Sequence, residues 1–291
     1  MPYTYSPSKL TQILHANGHA KIKVTSVTEV FGGSINKTYE VQTNGDSLFL
    51  KVNDSPHSHD MFKAESRGLE LLAKHAKLNI PKPLFITEQE KDHLFFMTHL
   101  NGQSNAGDAY TFGVELAQMH KTTNNRFGLS HDNYMGSLPQ QNNFQPTWGD
   151  FFILNRLQPQ AKLARDQNRI TAETVKKLDR FYGRMNEIFP EENPALIHGD
   201  LWSGNFMFTD KGPSMFDPAV AFAHREQDLA MTKLFGAFPV DFYNGYLDTF
   251  PVENGFEQRT DAYNLYPILI HVNLFGGGYA HQFSTMLDNY V

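Results

Sequence analysis

The chain contains no cysteine, and that absence closes several routes at once. Disulfides, thiolate zinc sites and cysteine nucleophiles are excluded, and with them a disulfide-linked dimer. Basic runs are also missing: 25 Lys and Arg against 31 Asp and Glu leave a net charge of −6, without the clustered positive charge that nucleic acids demand. No apolar stretch approaches the ~18 residues needed to span a bilayer. The opening MPYTYSPSKL lacks the basic and apolar regions of a secretory signal. Tryptophan is scarce, at 2, whereas 24 Phe and 12 Tyr are plentiful, a supply suited to packed cores and to walls for planar ligands. The expectation is a soluble, cytoplasmic, monomeric protein with no nucleic-acid or membrane partner. Its chemistry must rest on carboxylates, histidines, hydroxyls, lysine or a bound metal.

At 291 residues the chain is long enough for two domain-sized units. Alternating apolar residues predict strands over 24–30, 38–42 and 47–52, with Phe31-Gly32-Gly33-Ser34-Ile35-Asn36 as a loop and Asn44-Gly45-Asp46 as a hairpin turn. Phe62, Leu69, Leu72 and Ala76 predict a helix over 60–77, stopped before Pro81 and Pro83. A second hairpin follows over 84–87 and 94–100. After Asn101-Gly102 the pattern turns helical, over 109–121, 147–166 and 171–188, and again from Glu226 onward. A strand pair at 206–208 and 214–216 interrupts these helices. The reading is an α+β fold with two lobes. Residues 1–100 would form an antiparallel sheet with one helix that binds nucleotide, and residues 101–291 a mostly helical catalytic lobe.

The chemistry concentrates in Ile197-His198-Gly199-Asp200-Leu201-Trp202-Ser203-Gly204-Asn205, followed after a short hairpin by Asp217. An Asp, four residues and an Asn have the spacing of a kinase catalytic loop, where the Asp orients the acceptor hydroxyl and the Asn holds Mg²⁺; a second Asp after the next hairpin is where the main Mg²⁺ ligand belongs. Triphosphates need hard oxygen ligands for their cation, and a hydroxyl nucleophile needs a carboxylate within hydrogen-bond reach. Taken alone, Asp200 and Asn205 have a turn reading beside the catalytic one, since both residue types favour turns. Upstream parts change the balance. Gly32, Gly33, Ser34 and Asn36 lie in a loop whose N–H groups suit phosphates, Lys51 lies in the third strand, and Glu65 lies in the next helix. Their order is that of a kinase-type, bilobal protein-kinase-like fold. The pair His57 and His59 in Ser-Pro-His-Ser-His-Asp lacks further metal ligands and reads as a solvated loop.

With Asp217-Pro218-Ala219, His224-Arg225-Glu226-Gln227-Asp228-Leu229-Ala230, Asn133-Tyr134-Met135-Gly136 with Gln140, and Leu274-Phe275-Gly276-Gly277-Gly278-Tyr279, the chain resembles the fructosamine kinase (ketosamine 3-kinase) family. The similarity spans essentially its whole length. That family belongs to the aminoglycoside-phosphotransferase-like branch of the kinase fold. Two departures stand out: Ser34 where the family commonly has cysteine, and Thr98 in Met97-Thr98-His99-Leu100 where its hinge is usually acidic. The resemblance implies ATP-dependent, Mg²⁺-assisted phosphorylation of the 3-hydroxyl of a ketoamine, small or protein-bound, which lets phosphate and amine depart and so reverses glycation. Asp200 would position the hydroxyl, Asn205 and Asp217 would hold Mg²⁺, and Lys51 fixed by Glu65 would meet the α- and β-phosphates. Thr98 and Leu100 would offer backbone groups to adenine. Trp202 would stack on the substrate or else brace the loop, Glu226 would reach the substrate amine or tie the loop to a helix, and His198 and Asp228 would be structural. A kinase of another small hydroxyl substrate, such as an aminoglycoside, choline or a sugar, and a non-catalytic nucleotide-binding regulator are the alternatives.

Overall fold

The computed structural model describes residues 5–30, 35–102 and 109–291. It opens with helix α1 (Pro7–Ala16), an element that the strand-rich reading of the first hundred residues passes over. The signal is present: Ser6 caps the helix by accepting from the Lys9 N–H at 3.2 Å, Pro7 occupies its first turn, and Leu10, Ile13 and Leu14 make one buried stripe. Strands β1 (Val24–Val30), β2 (Lys37–Thr43) and β3 (Leu48–Asn53), helix α2 (Ser58–His75), then β4 (Pro83–Gln89) and β5 (Asp92–Thr98) follow. The five strands form an antiparallel sheet in the order β1-β2-β3-β5-β4.

Both faces of this sheet are covered, and strand periodicity sorts the residues between them. Leu48, Leu50 and Val52 of β3 and Leu94 and Phe96 of β5 pack with α1. The intervening Phe95 and Met97 face α2, meeting Phe62 and Leu69, with Phe49 packed against the same cluster. Lys51, one residue from Leu50, therefore lies on the α2 face.

The rest of the described chain builds one large core. Its elements are α3 (Ala109–His120), a short hairpin of β6 (Asn133–Met135) and β7 (Leu138–Gln140), α4 (Trp148–Phe151), a π-helical turn (Phe152–Leu157), α5 (Gln158–Asp166), α6 (Ala172–Tyr182), α7 (Met185–Ile188), β8 (Ala195–Ile197), β9 (Phe206–Thr209), β10 (Gly212–Met215), β11 (Ala221–Ala223), α8 (Glu226–Met231), α9 (Val240–Thr249), α10 (Phe256–Phe275) and α11 (Gly278–Asp288). Two helices expected as continuous are divided: 147–166 by the π turn, and 171–188 at Gly183 and Arg184. Strands β8 and β11 pair antiparallel, as do β9 and β10. The loop after β8 and the segment after β10 are thereby brought side by side. Among the described residues no helix is long and apolar enough to cross a membrane.

Candidate active site

Lys51 is buried in the middle of the sheet, opposite Thr38 on one side and Phe95 on the other. On the α2 face its ammonium meets Glu65, which lies one helical turn from both Phe62 and Leu69, at Nζ–Oε1 2.6 Å. The same nitrogen donates to Asp217 Oδ1 at 2.5 Å. Burial opposes the charge of Lys51, but Asp217 and Glu65 together hold its pKa above the usual lysine value. Burial, and then the negative charge of Asp217, push the Glu65 carboxyl up to about 7 against the pull of Lys51.

Between β8 and β9 the chain folds tightly around its own polar groups. Gly199 has φ +84°, and a Cβ there would stand 2.1 Å from the Ala219 carbonyl oxygen, so no other residue fits. Asp200 follows, and Asn205 Nδ2 donates to its Oδ2 at 3.0 Å and to its carbonyl at 2.9 Å. Burial, followed by the charge of Asp217, raises the Asp200 carboxyl to about 7. His198 accepts from the Asp200 N–H on Nδ1 at 3.2 Å and places Nε2 2.9 Å from the Phe216 carbonyl, which calls for a neutral ring protonated on Nε2. Burial lowers its pKa in agreement. Asp228 closes the back of the loop, accepting from the His198 and Gly199 N–H groups at 2.7 and 2.8 Å. Both geometries have the bracing character expected of these two residues.

Lys51, Glu65, Asn36, Asp200, Asn205 and Asp217 share the walls of one cavity of about 630 Å³. Trp202 lines it too, its ring lying so close over Gly204 that a Cβ there would come within 2.3 Å, and meeting Phe235 edge-to-face with ring centres 6.0 Å apart. It is thus braced on one side and presented to the cavity on the other. Gly32, Gly33 and Ser34 lie outside the described residues. Thr98 gives its N–H to the Lys82 carbonyl at 3.0 Å and its hydroxyl accepts from the Lys82 N–H at 2.9 Å; neither Thr98 nor Leu100 is among the residues walling the cavity.

Of the two places expected for Glu226, the one at the substrate is not where the structure puts it. It is fully buried, and Arg259 grips both of its oxygens at 2.5 Å, away from the cavity. The reason is burial: every residue of α8 lies inside the core, so its carboxylates must be paired there. Sequence reasoning in turn missed Tyr134 and Gly136 from the β6–β7 hairpin and the aromatic wall of His271, Phe275 and Tyr279. Their motifs were visible, but their meeting point depended on how α10 and α11 pack.

The donor set fits a hard cation. Asn205 spends its Nδ2 on Asp200, which leaves Oδ1 as an acceptor, and the Asp217 side chain keeps 44% of its surface exposed. Two protein oxygens are what Mg²⁺ ordinarily takes when phosphates and water complete its shell. Among the described residues no group of three or more His, Asp or Glu side chains forms a self-sufficient metal cage, and His57 and His59 gain no third ligand.

The arrangement is that of a phosphotransferase with a kinase-type fold. The crystal structure of the aminoglycoside phosphotransferase APH(4)-Ia superimposes with a TM-score of 0.62 over 98% of this chain and 99% of that one, at 14% identity, a likeness of fold alone. A candidate fructosamine-3-kinase from Thermobifida fusca is far nearer, with a TM-score of 0.86, 29% identity and coverage of 98% and 99%. The fructosamine kinase family profile matches residues 7–291, and the chain belongs to that family. Among its relatives, a probable ketoamine kinase of Enterococcus faecium is 37% identical over 267 residues, 91% of this chain and 95% of that protein. The chloroplastic protein-ribulosamine 3-kinase of Arabidopsis thaliana is 35% identical over 275 residues, 92% and 83% of the two chains.

Proposed function

We propose that the protein is an ATP-dependent ketosamine 3-kinase, acting on ketoamines of the fructosamine or ribulosamine type, small or protein-bound. The observation that carries this reading is the convergence of Lys51, Glu65, Asp200, Asn205 and Asp217 on one cavity. In it, Lys51 is held by Glu65 for the α- and β-phosphates, and Asp200 orients the acceptor hydroxyl and takes its proton as the new O–P bond forms and the bond to the departing ADP breaks. Asn205 and Asp217 would hold Mg²⁺, which neutralises phosphate charge when bound. Trp202 would flank the sugar or its amine, and Thr98 and Leu100 would offer backbone groups to the adenine ring. Gly32, Gly33, Ser34 and Asn36 would cover the phosphates. The nucleotide would lie between a lobe of residues 1–100 and one of 101–291, a division in keeping with the separate apolar clusters around the sheet. A cytoplasmic setting, where ATP is supplied, suits this chemistry.

A phosphate on C3 of a ketoamine stands β to C1, whose proton is acidified by the C2 carbonyl. Enolisation toward C1 therefore expels phosphate, and hydrolysis then frees the amine. The test is to incubate enzyme, Mg·ATP and a ribulosamine or fructosamine, remove the enzyme, and follow free amine and phosphate over hours. The expected result is ATP consumption with the ketoamine, but not with choline or an aminoglycoside, followed by enzyme-free release of both products. No ketoamine-dependent ATP consumption overturns the substrate; a stable phosphorylated product overturns the choice of hydroxyl.

A further inference from the structure

Asp217 has φ +56°, a left-handed conformation that costs a non-glycine residue free energy, and it precedes Pro218, which further restricts it. A conformation of this kind persists only where the surroundings over-determine it. On its N-terminal side the restraint is the catalytic loop: Phe216 donates its N–H to the Asn205 carbonyl at 3.0 Å, and its own carbonyl lies 2.9 Å from His198 Nε2. On its C-terminal side the loop holds it again, Ala219 donating its N–H to the His198 carbonyl at 2.9 Å, and a second element adds to that restraint. Gln140 Nε2 donates to the Ala219 carbonyl at 3.2 Å, and Asn133 Nδ2 donates to the Val220 carbonyl at 2.8 Å. Both belong to the β6–β7 hairpin.

That hairpin is itself anchored by an expensive device. Arg156 is 1% exposed and, among the described residues, makes no ion-pair contact with a carboxylate, Asp132 acting on it only at a distance. Its guanidinium donates to Asn142 Oδ1 at 2.7 Å and to the Gln141 carbonyl, and lies 4.3 Å above the Phe151 ring and 5.6 Å from that of Tyr266. Its Nε has no partner among the described residues, and burial pushes its pKa down to about 10. A buried cation without a contacting counter-ion is costly, and the turn that carries it is a π-helical insertion of the sort that recurs at functional sites. From Arg156 the contacts run outward. Asn142 donates to Asn133 Oδ1 at 3.0 Å, Gln140 donates to the same oxygen at 2.7 Å, and the Tyr266 hydroxyl donates to Gln140 Oε1 at 2.8 Å. At the hairpin tip Gly136 has φ +61°, and a Cβ there would meet Leu274 at 3.0 Å and Ile35 at 3.2 Å. The tip is thus wedged between α10 and the residue next to the glycine loop.

We propose that the β6–β7 hairpin, anchored by Arg156, is a positioning device for the metal-binding carboxylate, with Gln140 and Asn133 as the positioning residues that hold Asp217 in its left-handed conformation. This rests on the assignment of Asp217 to Mg²⁺ and not on the identity of the acceptor.

The experiment measures nucleotide affinity by calorimetry in Mg²⁺ and in EDTA, alongside thermal stability, for wild type, Asp217→Ala, Gln140→Leu, Tyr266→Phe, Arg156→Lys, Arg156→Met and Asn273→Leu. Asn273→Leu is the structural control, since it cuts a buried pair with Gln160 elsewhere in the core. Gln140→Leu should lower the Mg²⁺-dependent gain in ATP affinity by about tenfold, the loss of roughly one well-made hydrogen bond, while affinity in EDTA stays near wild type. Tyr266→Phe, which leaves the chain around Asp217 untouched, should move the same ratio a smaller amount and serves where Gln140→Leu does not fold. Arg156→Lys should retain more of the gain than Arg156→Met. Asn273→Leu should lower stability with the ratio unchanged. A strong response in Asp217→Ala with none in Gln140→Leu or Tyr266→Phe overturns the proposal alone. No response in Asp217→Ala overturns the metal assignment and the proposal with it.

Discussion

Glu65 and Glu226 are both glutamates on helices, both face a cation, and both are withdrawn from solvent, yet they sit in opposite kinds of site. Glu226 is fully buried and held through both oxygens by Arg259, which also donates to the Asn254 and Glu253 carbonyls at 2.7 and 2.8 Å. Arg225 and Glu192 form a similar closed pair nearby, at 2.8 Å. The carboxylates of both pairs are committed to their arginines inside the core. Glu65, in contrast, shares Lys51 with Asp217, a carboxylate with 44% of its side chain exposed at a cavity wall. The lesson is that function follows from what a charge network leaves unspent rather than from how many charges it holds.

The comparison can be broken at either end. The largest effect is expected at the open site: Asp200→Asn should lower kcat on the order of 10³-fold while nucleotide binding survives, because an acceptor-orienting carboxylate is lost and the phosphate side is not. Steady-state kinetics with a nucleotide titration checks this, and near-normal turnover removes Asp200 from the mechanism. Next comes Glu226→Gln, which strands Arg259 in the core. Breaking a buried pair costs roughly 3–5 kcal/mol, so denaturant unfolding should show a large loss of stability, with kcat/KM per folded molecule preserved. A selective catalytic defect would put Glu226 back at the substrate.

Glu65→Gln is the mirror experiment. It should cut kcat/KM for ATP by about 10²-fold through misplaced Lys51, with a stability change well below that of Glu226→Gln. If the two variants behaved alike, the contrast between open and closed pairs would fail. The smallest effect concerns pH. Burial, with Arg259 and Arg225 nearby, lowers the His224 pKa to about 3, whereas the unfolded chain takes up that proton near pH 6.5. Between these values the unfolded state binds more protons, so stability falls as pH falls. His224→Phe, which keeps a ring against Trp148 at 4.5 Å, should shift the acid-unfolding midpoint, followed by tryptophan fluorescence, to lower pH. An unmoved midpoint would show that the acid sensitivity resides elsewhere, for instance in the buried His120 and His198.

Much of this architecture is legible in one dimension. The five strands and α2 follow from alternation and from the 3.6-residue period, and the catalytic loop follows from spacing, because Asp200 and Asn205 lie in one short turn where sequence distance and spatial distance coincide. Helix α1 was equally readable from Ser6, Pro7 and its apolar stripe. The β6–β7 hairpin was harder: strands of three residues carry no periodicity, and its shape depends on Asn133, Gln140 and Asn142 bonding to one another and to the chain beyond Asp217.

The residue types themselves point to the proposed chemistry: in a cysteine-free chain, a strand lysine, a helical glutamate, two aspartates and an asparagine in this order would hold a phosphate-bound cation and orient a hydroxyl. Tertiary structure alone decided which charges stay available. Lys51 and Asp217 are 166 positions apart in the chain but 2.5 Å apart in space, and Glu226 and Asp228, beside each other in one motif, are both consumed inside the core. Strand and helix periods act over a few residues, so a sequence records them directly. The phase at which α2, α8 and α10 pack is set by burial summed over the whole core, and that sum exists only once the chain has folded.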